Sequence, residues 1–356
     1  MKTLEAAHQT DFSKFPFLER KISITSKHTL LYGPPRSGKS YLILDYLAKF
    51  ESTQYLYIDF NDMRIDVEEV EKNLQEYIIE HQIKIVALDN FDFQCELPIS
   101  KEIILSSNCI QHLEGFSSLL VMPLDFEEYI LHNPKLQTTT HSFNSFLKYG
   151  NLPGLLEYTD EKKTTRIQEI IKLYCSNTTQ LEVLKILFKS LGEKRSIFQM
   201  FNQLKKKTKI SKDMFYSLCD AHEKNCLIFF IEKFDQPKAT KKLYAYNHTF
   251  LDSLNHQKNF SNEFSNMIFL ELLKKKNPMF YLDKIDFYIP KRKKLMLSIP
   301  FFNALQIPKV STILLPYIKL LQIKRILIIT VGVEQSFFCD NIEVQAVPFY
   351  EWALGE

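Results

Sequence analysis

His28-Thr-Leu-Leu-Tyr-Gly33-Pro-Pro-Arg-Ser-Gly38-Lys39-Ser40-Tyr41 is the run whose reading decides the fold. Residues 28–32 are short and apolar and read as a buried strand. From residue 41 to residue 50 the apolar side chains Leu42, Tyr46, Leu47 and Phe50 recur at helical spacing. Between them stands G-x-x-x-x-G-K-[ST], in the strand–loop–helix order that this motif requires. The two glycines let the backbone turn tightly. Successive backbone N–H groups then face inward at the start of the helix, where the helix dipole favours an anion. Lys39 reaches toward β- and γ-phosphates and Ser40 offers a hydroxyl to Mg²⁺. With only 8 glycines in 356 residues, the pattern is hard to produce by accident. We therefore expect a nucleotide site formed by Gly33, Pro34, Pro35, Arg36, Ser37, Gly38, Lys39, Ser40 and Tyr41, with ATP and Mg²⁺ as ligands.

Working outward, residues 54–60 alternate as a strand and end near Asp59, Asn61 and Asp62. Residues 67–82 carry Val70, Leu74, Ile78 and Ile79 on one helical stripe. Then Lys84-Ile-Val-Ala-Leu-Asp89 reads as a buried parallel strand with an acid at its tip, at the sheet edge where α/β proteins bind ligands. Asp89 is the expected partner of Ser40 in holding Mg²⁺. The following residue is Asn90, whose amide can orient water but cannot take its proton; Asp92 could act in its place only if the turn brings it round. Residues 101–106 form a further strand running into Ser106-Ser107-Asn108; a polar residue here senses the γ-phosphate in P-loop ATPases, which makes Asn108 a candidate, with a helix or turn cap as the alternative. Residues 118–122 form a fifth. Strands alternating with helices imply a parallel sheet covered on both faces. Asp89, Asn90, Asp92 and Asn108 are the candidate catalytic residues, with Ser40 and Asp89 as metal ligands.

The segment Pro123-Leu-Asp-Phe-Glu-Glu-Tyr-Ile130 resembles the Pro-Leu-Ser-Phe-x-Glu-Phe run of a group of prokaryotic AAA-type ATPases. The resemblance continues in order through Tyr57-Ile-Asp-Phe-Asn-Asp62-Met-Arg64, Tyr149-Gly150-Asn-Leu-Pro153, the Asn266 and Glu271 helix, and Asp286-Phe287. It implies an α/β fold in three parts: a parallel-sheet P-loop domain over 1–158, a helical and winged-helix domain over 159–255, and a restriction-endonuclease-like α/β domain over 256–356. Two departures stand out. Asn90 occupies the place of a water-activating Glu, and Phe116 that of an Arg expected to face nucleotide. Both point to a weak ATPase.

The remaining pattern fits that division. Three helical stripes lie near residues 181–188, 196–204 and 211–223. They precede strand-like residues 227–231 and 242–246, which flank a polar hairpin at 232–241. Ser211 is placed to cap the third helix, and Lys205, Lys206, Lys207, Lys209 and Lys212 suggest phosphate contacts with DNA; a packing module is the alternative. That helix carries few side chains suited to base edges. The last third reads as helix 263–276, strands 286–289 and 295–299, helix 310–321, and strands 325–330 and 344–347. A nuclease of the implied fold needs an Asp and then Glu-x-Lys on the next strand. Asp286 is present, but Ser298-Ile-Pro300 stands at the second position, so cleavage is expected to be lost.

A net charge of +3 over this length neither demands nor excludes nucleic acid. Six cysteines match no zinc spacing and are expected as reduced thiols. Residues 1–10 hold no apolar stretch and 326–333 is too short a run to cross a bilayer. A cytoplasmic protein with no membrane partner is expected. The two functional readings are an ATPase that couples nucleotide state to the arrangement of its other domains, and a non-hydrolysing, nucleotide-gated module that binds DNA or protein. A protein partner or a second copy of the chain stays open beside them.

Overall fold

The computed structural model describes residues 2–8, 10–133, 138–254 and 259–355. By contacts, the chain divides into two compact units. One is Met1–Pro123 with Lys224–Cys226; the other is Leu124–Glu223 with Leu227–Glu356.

The first unit runs α1 (Lys2–His8), β1 (His28–Tyr32), α2 (Lys39–Leu47), β2 (Tyr55–Asp59), α3 (Val67–Glu80), β3 (Ile85–Asp89), β4 (Glu102–Ser107) and β5 (Ser117–Leu120). All strand pairs are parallel, in the order β2-β3-β4-β1-β5. Consecutive strand side chains point to opposite faces, and the core shows it. Leu30, Leu56, Ile58, Val86, Leu88, Ile103 and Leu105 pack under Val70, Leu74, Tyr77 and Ile78 of α3 and Leu4 of α1. Their neighbours Leu31, Tyr55, Ile85, Ala87 and Ile104 pack under Leu42, Ile43 and Leu47 of α2. A sheet buried on both faces is why β3 reads as an unbroken apolar run. Asp66 caps α3 by accepting the Glu69 N–H. The α/β class and the parallel central sheet expected from the sequence are present.

The second unit begins with helices: α4 (Phe126–Leu131), α5 (Thr139–Tyr149), α6 (Asp160–Leu173), α7 (Thr178–Lys189), α8 (Ile197–Lys205) and α9 (Lys212–Lys224). Asp125 and Glu128 close a capping box on α4. Gly150 ends α5 at φ +81, and a Cβ there would lie 2.6 Å from Asn247 Oδ1, so this position takes glycine alone. Ser211 Oγ accepts the Met214 N–H at 3.2 Å at the start of α9, as expected. An antiparallel hairpin follows, β6 (Ile228–Ile231) and β7 (Lys242–Ala245). Its connecting loop is not free: Phe234 N–H donates to Tyr281 O and Tyr281 N–H to Glu232 O, both at 3.0 Å.

After α10 (Phe250–Leu254) comes α11 (Phe260–Lys274), in which every residue from Glu263 to Leu272 is buried. Then follow β8 (Phe280–Leu282), β9 (Ile285–Ile289), β10 (Lys294–Ser298), α12 (Ile307–Leu321), β11 (Arg325–Thr330), β12 (Gln335–Cys339), β13 (Ile342–Pro348) and α13 (Phe349–Gly355). The six strands form one sheet, β12-β13-β11-β10-β9-β8. It is parallel at β10-β11-β13 and antiparallel at both margins. Val310, Leu314 and Ile318 of α12 cover one face. The short strands β8 and β12 were not expected: β8 is three apolar residues, too few to show a period, and in β12 apolar and polar residues do not alternate. The domain boundary placed at 255/256 lies outside the described residues. Among the described residues no helix is long and apolar enough to cross a membrane, and all six cysteines are thiols.

Candidate functional site at the carboxyl edge of the first sheet

Residues 33–40 connect β1 to α2 as the motif requires. Gly33 has φ +145, and a Cβ there would stand 2.4 Å from the Val121 carbonyl oxygen. Gly38 enters α2 at φ 100. Both conformations are ones that residues with a side chain rarely adopt. Arg36 also sits at φ 62, so the loop coils left-handed at two points.

Lys39 is 5% exposed. Its Nζ donates to Gly33 O at 2.8 Å, Pro34 O at 3.0 Å and Asn108 Oδ1 at 3.1 Å. All three acceptors are uncharged. Burial pushes the Lys39 ammonium down to about 8, against the pull of Asp89 nearby. Lys39 and Asn108, expected at one site from separate strands, are therefore in direct contact. Ser37 is fully buried, its Oγ has no hydrogen-bond partner, and its carbonyl accepts Arg20 Nη1 at 3.2 Å. Arg20 Nη2 also donates to Met122 O at 2.9 Å, tying the loop to the end of β5. Tyr41 turns away to residues 16–18: its hydroxyl donates to Pro16 O at 2.9 Å and accepts the Leu18 N–H at 3.0 Å.

Asp89 closes β3, fully buried. Ser106 Oγ donates to its Oδ1, and Tyr57 OH to its Oδ2 at 2.9 Å. Burial and the Asp89 charge hold the Tyr57 phenol well above its usual range, so it stays a donor. Asn90 adopts φ 55, a left-handed conformation in which Asn is enriched. Its backbone N–H donates to Ser106 Oγ at 2.9 Å and its Nδ2 to Asp59 Oδ1 at 2.8 Å. Asp92 does not join this group: it is exposed, and its Oδ1 accepts the Gln94 N–H at 3.1 Å within its own loop. Phe116 packs against the His28 ring at 5.3 Å and borders the apolar core.

The donor set suits Mg²⁺ carried in with a nucleotide. Among the described residues no three His, Cys, Asp or Glu form a protein-only metal cage. Mg²⁺ needs none, because it keeps waters and phosphate oxygens and takes one or two hard protein oxygens. The Ser40 hydroxyl and an Asp89 carboxylate are such oxygens. The sequence reading missed Arg20, Tyr57, Ser106 and the role of Asp59. Asp59 carried a signal, an acid closing a strand as Asp89 does; Arg20 carried none, since residues 11–27 have no regular period.

A second arrangement, within the other unit, involves Asp286. Its Oδ1 accepts Lys242 Nζ at 2.9 Å, and its Oδ2 accepts the Ser298 N–H at 2.8 Å. Lys242 is 7% exposed. Burial works against its charge, but Tyr244 and Asp286 outweigh that and hold its pKa above the usual lysine value. The helix residues singled out in the sequence prove to be ties. Asn266 exchanges two bonds with the Ala245 backbone, at 2.7 and 2.9 Å, and Glu271 Oε1 accepts the Phe126 N–H at 2.9 Å.

No family model matches the chain. An uncharacterized protein of Methanocaldococcus jannaschii is 25% identical over an alignment of 395 positions, spanning 93% of this chain and 89% of that one. Among solved structures, the chain is similar to the Walker-type ATPase of Pyrococcus abyssi, with 16% identity, TM-score 0.44, and 71% of this chain and 93% of that one covered. It is also similar to Aeropyrum pernix Orc1 in complex with DNA, with 11% identity, TM-score 0.33, and 65% and 87% covered. A third is AMPPCP-bound DnaA of Aquifex aeolicus, with 14% identity, TM-score 0.26, and 62% and 86% covered. At these scores none of the three bears on this chain's chemistry, which is read from its own residues.

Proposed function

We propose that the chain binds ATP with Mg²⁺ on residues 33–41 and hydrolyses it slowly. The observation that carries this is the buried Lys39 ammonium held only by uncharged oxygens. A lone buried cation is costly unless an anion joins it, and the loop amides beside it suit a polyphosphate tail. Phosphate oxygens would replace the Gly33 and Pro34 carbonyls on Lys39. Asn108 would meet the γ-phosphate, and Ser40 and Asp89 would hold Mg²⁺. When bound, the ion would neutralise charge on the phosphates. Titration calorimetry with ATP, ADP and GTP in Mg²⁺ tests the reading. Lys39→Ala is expected to abolish binding; retained ATP affinity in that variant would refute it.

The three-part division at 158 and 255 belongs to the same proposal. The α7–α8–α9 run with the β6–β7 hairpin supports a winged helix. The α11-β8-β9-β10-α12-β11 order supports a restriction-endonuclease-like domain without cleavage, since Asp286 faces Lys242 and the Glu-x-Lys position is Ser298-Ile-Pro300. Hydrolysis would then be coupled to the arrangement of these domains.

A second reading, a nucleotide-gated module that binds DNA or protein without turnover, is favoured by Asn90 and by the exposed lysines 205, 206, 207, 209 and 212. Steady-state ATPase assays with and without duplex DNA separate the two: turnover well above that of Lys39→Ala rules out the static module.

A further inference from the structure

Asn90 is the residue that argues most against hydrolysis, and its surroundings restore part of what it lacks. Its side-chain NH₂ donates to Asp59 Oδ1 at 2.8 Å. Asp59 is the last residue of β2, paired in register with Asp89 of β3. The same Oδ1 accepts the Asn61 N–H at 3.0 Å, which fixes the carboxylate in its turn. A carboxylate only accepts hydrogen bonds. The end of the Asn90 amide facing Asp59 must therefore be the NH₂, and the amide oxygen is presented on the opposite side. The backbone is held equally firmly, by the bond from Asn90 N–H to Ser106 Oγ at 2.9 Å. Asp59 and Asn90 are both half-buried, within reach of water. They stand at the carboxyl ends of adjacent strands, the edge at which α/β sheets bind ligands.

We propose that Asp59 is a positioning residue for ATP hydrolysis: it pins the Asn90 amide so that the amide oxygen holds the attacking water in line with the γ-phosphate. This rests on the ATP-binding reading given above. Phosphoryl transfer passes through a loose transition state in which orienting the water matters more than taking its proton early, so an amide suffices where its orientation is fixed. The water oxygen bonds to the γ-phosphorus. The bond from that phosphorus to the bridging oxygen breaks, its electron pair stays on ADP, and both water protons leave on the phosphate product.

The experiment compares Asp59→Asn, Asn90→Asp and the double exchange in the full chain, reading ATP Kd by titration and single-turnover hydrolysis, with melting curves as a fold check. Asp59→Asn frees the amide to flip; it should keep Kd within about twofold and slow hydrolysis by about 10- to 100-fold. Asn90→Asp alone sets two carboxylates face to face and should also be slow. The double exchange again pairs an amide with a carboxylate, and both Asn and Asp tolerate the left-handed backbone at 90, so its rate should return at least to wild type. An unchanged rate in Asp59→Asn, or a double exchange as slow as the singles, overturns the inference. So does a wild-type chain that binds ATP but turns over no faster than Lys39→Ala. Failure of wild type to bind ATP instead removes the nucleotide reading itself.

Discussion

Two buried lysines, each near an aspartate at a strand, have opposite fates. Lys39 lies among two carbonyls and an amide oxygen, none of them charged, and burial pushes it down to about 8. Lys242 bonds the Asp286 carboxylate directly, and its pKa is raised. The first site keeps a positive charge that no carboxylate bonds directly, the condition for capturing an anion. The second has neutralised itself, and an ammonium stands against the carboxylate that a metal would need. The same residue types thus mark one receptive site and one closed site, and the difference is the charge of the acceptor.

The contrast can be broken first at Lys242. Lys242→Met strands a mostly buried carboxylate. It should cost about 3 kcal/mol in denaturant unfolding, the low end for a buried pair because Asp286 is a quarter exposed. Lys242→Met combined with Asp286→Asn should recover most of that loss; a double variant that costs the sum of the two singles would mean the pair carries no coupling.

Acid should act on the same unit. His222 and His248 are buried there and burial holds both down to about 4. Because the folded values lie below the usual 6.5, the unfolded chain binds more protons between these limits. The stability that neutral histidines preserve is complete above about 6.5 and is lost as pH falls toward 4, up to about 3 kcal/mol for each. Melting temperature followed from pH 7.5 to 4.5 checks it, and His248→Gln should flatten the slope.

At the receptive site the effect falls on binding rather than on stability. Lys39→Met removes a buried charge that bonds no carboxylate directly, so unfolding should shift by less than about 1 kcal/mol while ATP Kd rises at least about 100-fold. A large stability loss would show that Lys39 is structural rather than poised for a ligand. Tyr57→Phe deletes one donor to Asp89 and should cost about 1–2 kcal/mol, seen in the melting curve.

The legible part of the molecule was local. The run from residue 28 to residue 50 could be read because a strand, a glycine-framed turn and a helix follow one another in sequence, each with its own period. Asp89 followed from its place at the end of an apolar run, and Asn108 from the polar residues closing the next strand. Contacts between strands were not legible. Tyr57 and Ser106 hold Asp89 from either side because β3 lies between β2 and β4, an order that no stretch of sequence spells out. Asp92 was the acid that the sequence offered beside Asn90, yet left-handed turns stand at Asn90 and Phe93 and its carboxylate bonds within its own loop. Nor did any local pattern show that a lysine from a hairpin would meet Asp286, 44 residues along the chain.

The bond between the 232–241 loop and β8 has one more effect. β8 would otherwise end its sheet with a row of bare amides and carbonyls, a template for pairing with other chains. Phe234 and Glu232 occupy that row, and Lys233 adds a charged arm to Asp283 at 2.7 Å. The hairpin loop thus serves as a selvedge on the fabric of the sheet. Shortening it should leave the protein folded but prone to precipitate at high concentration.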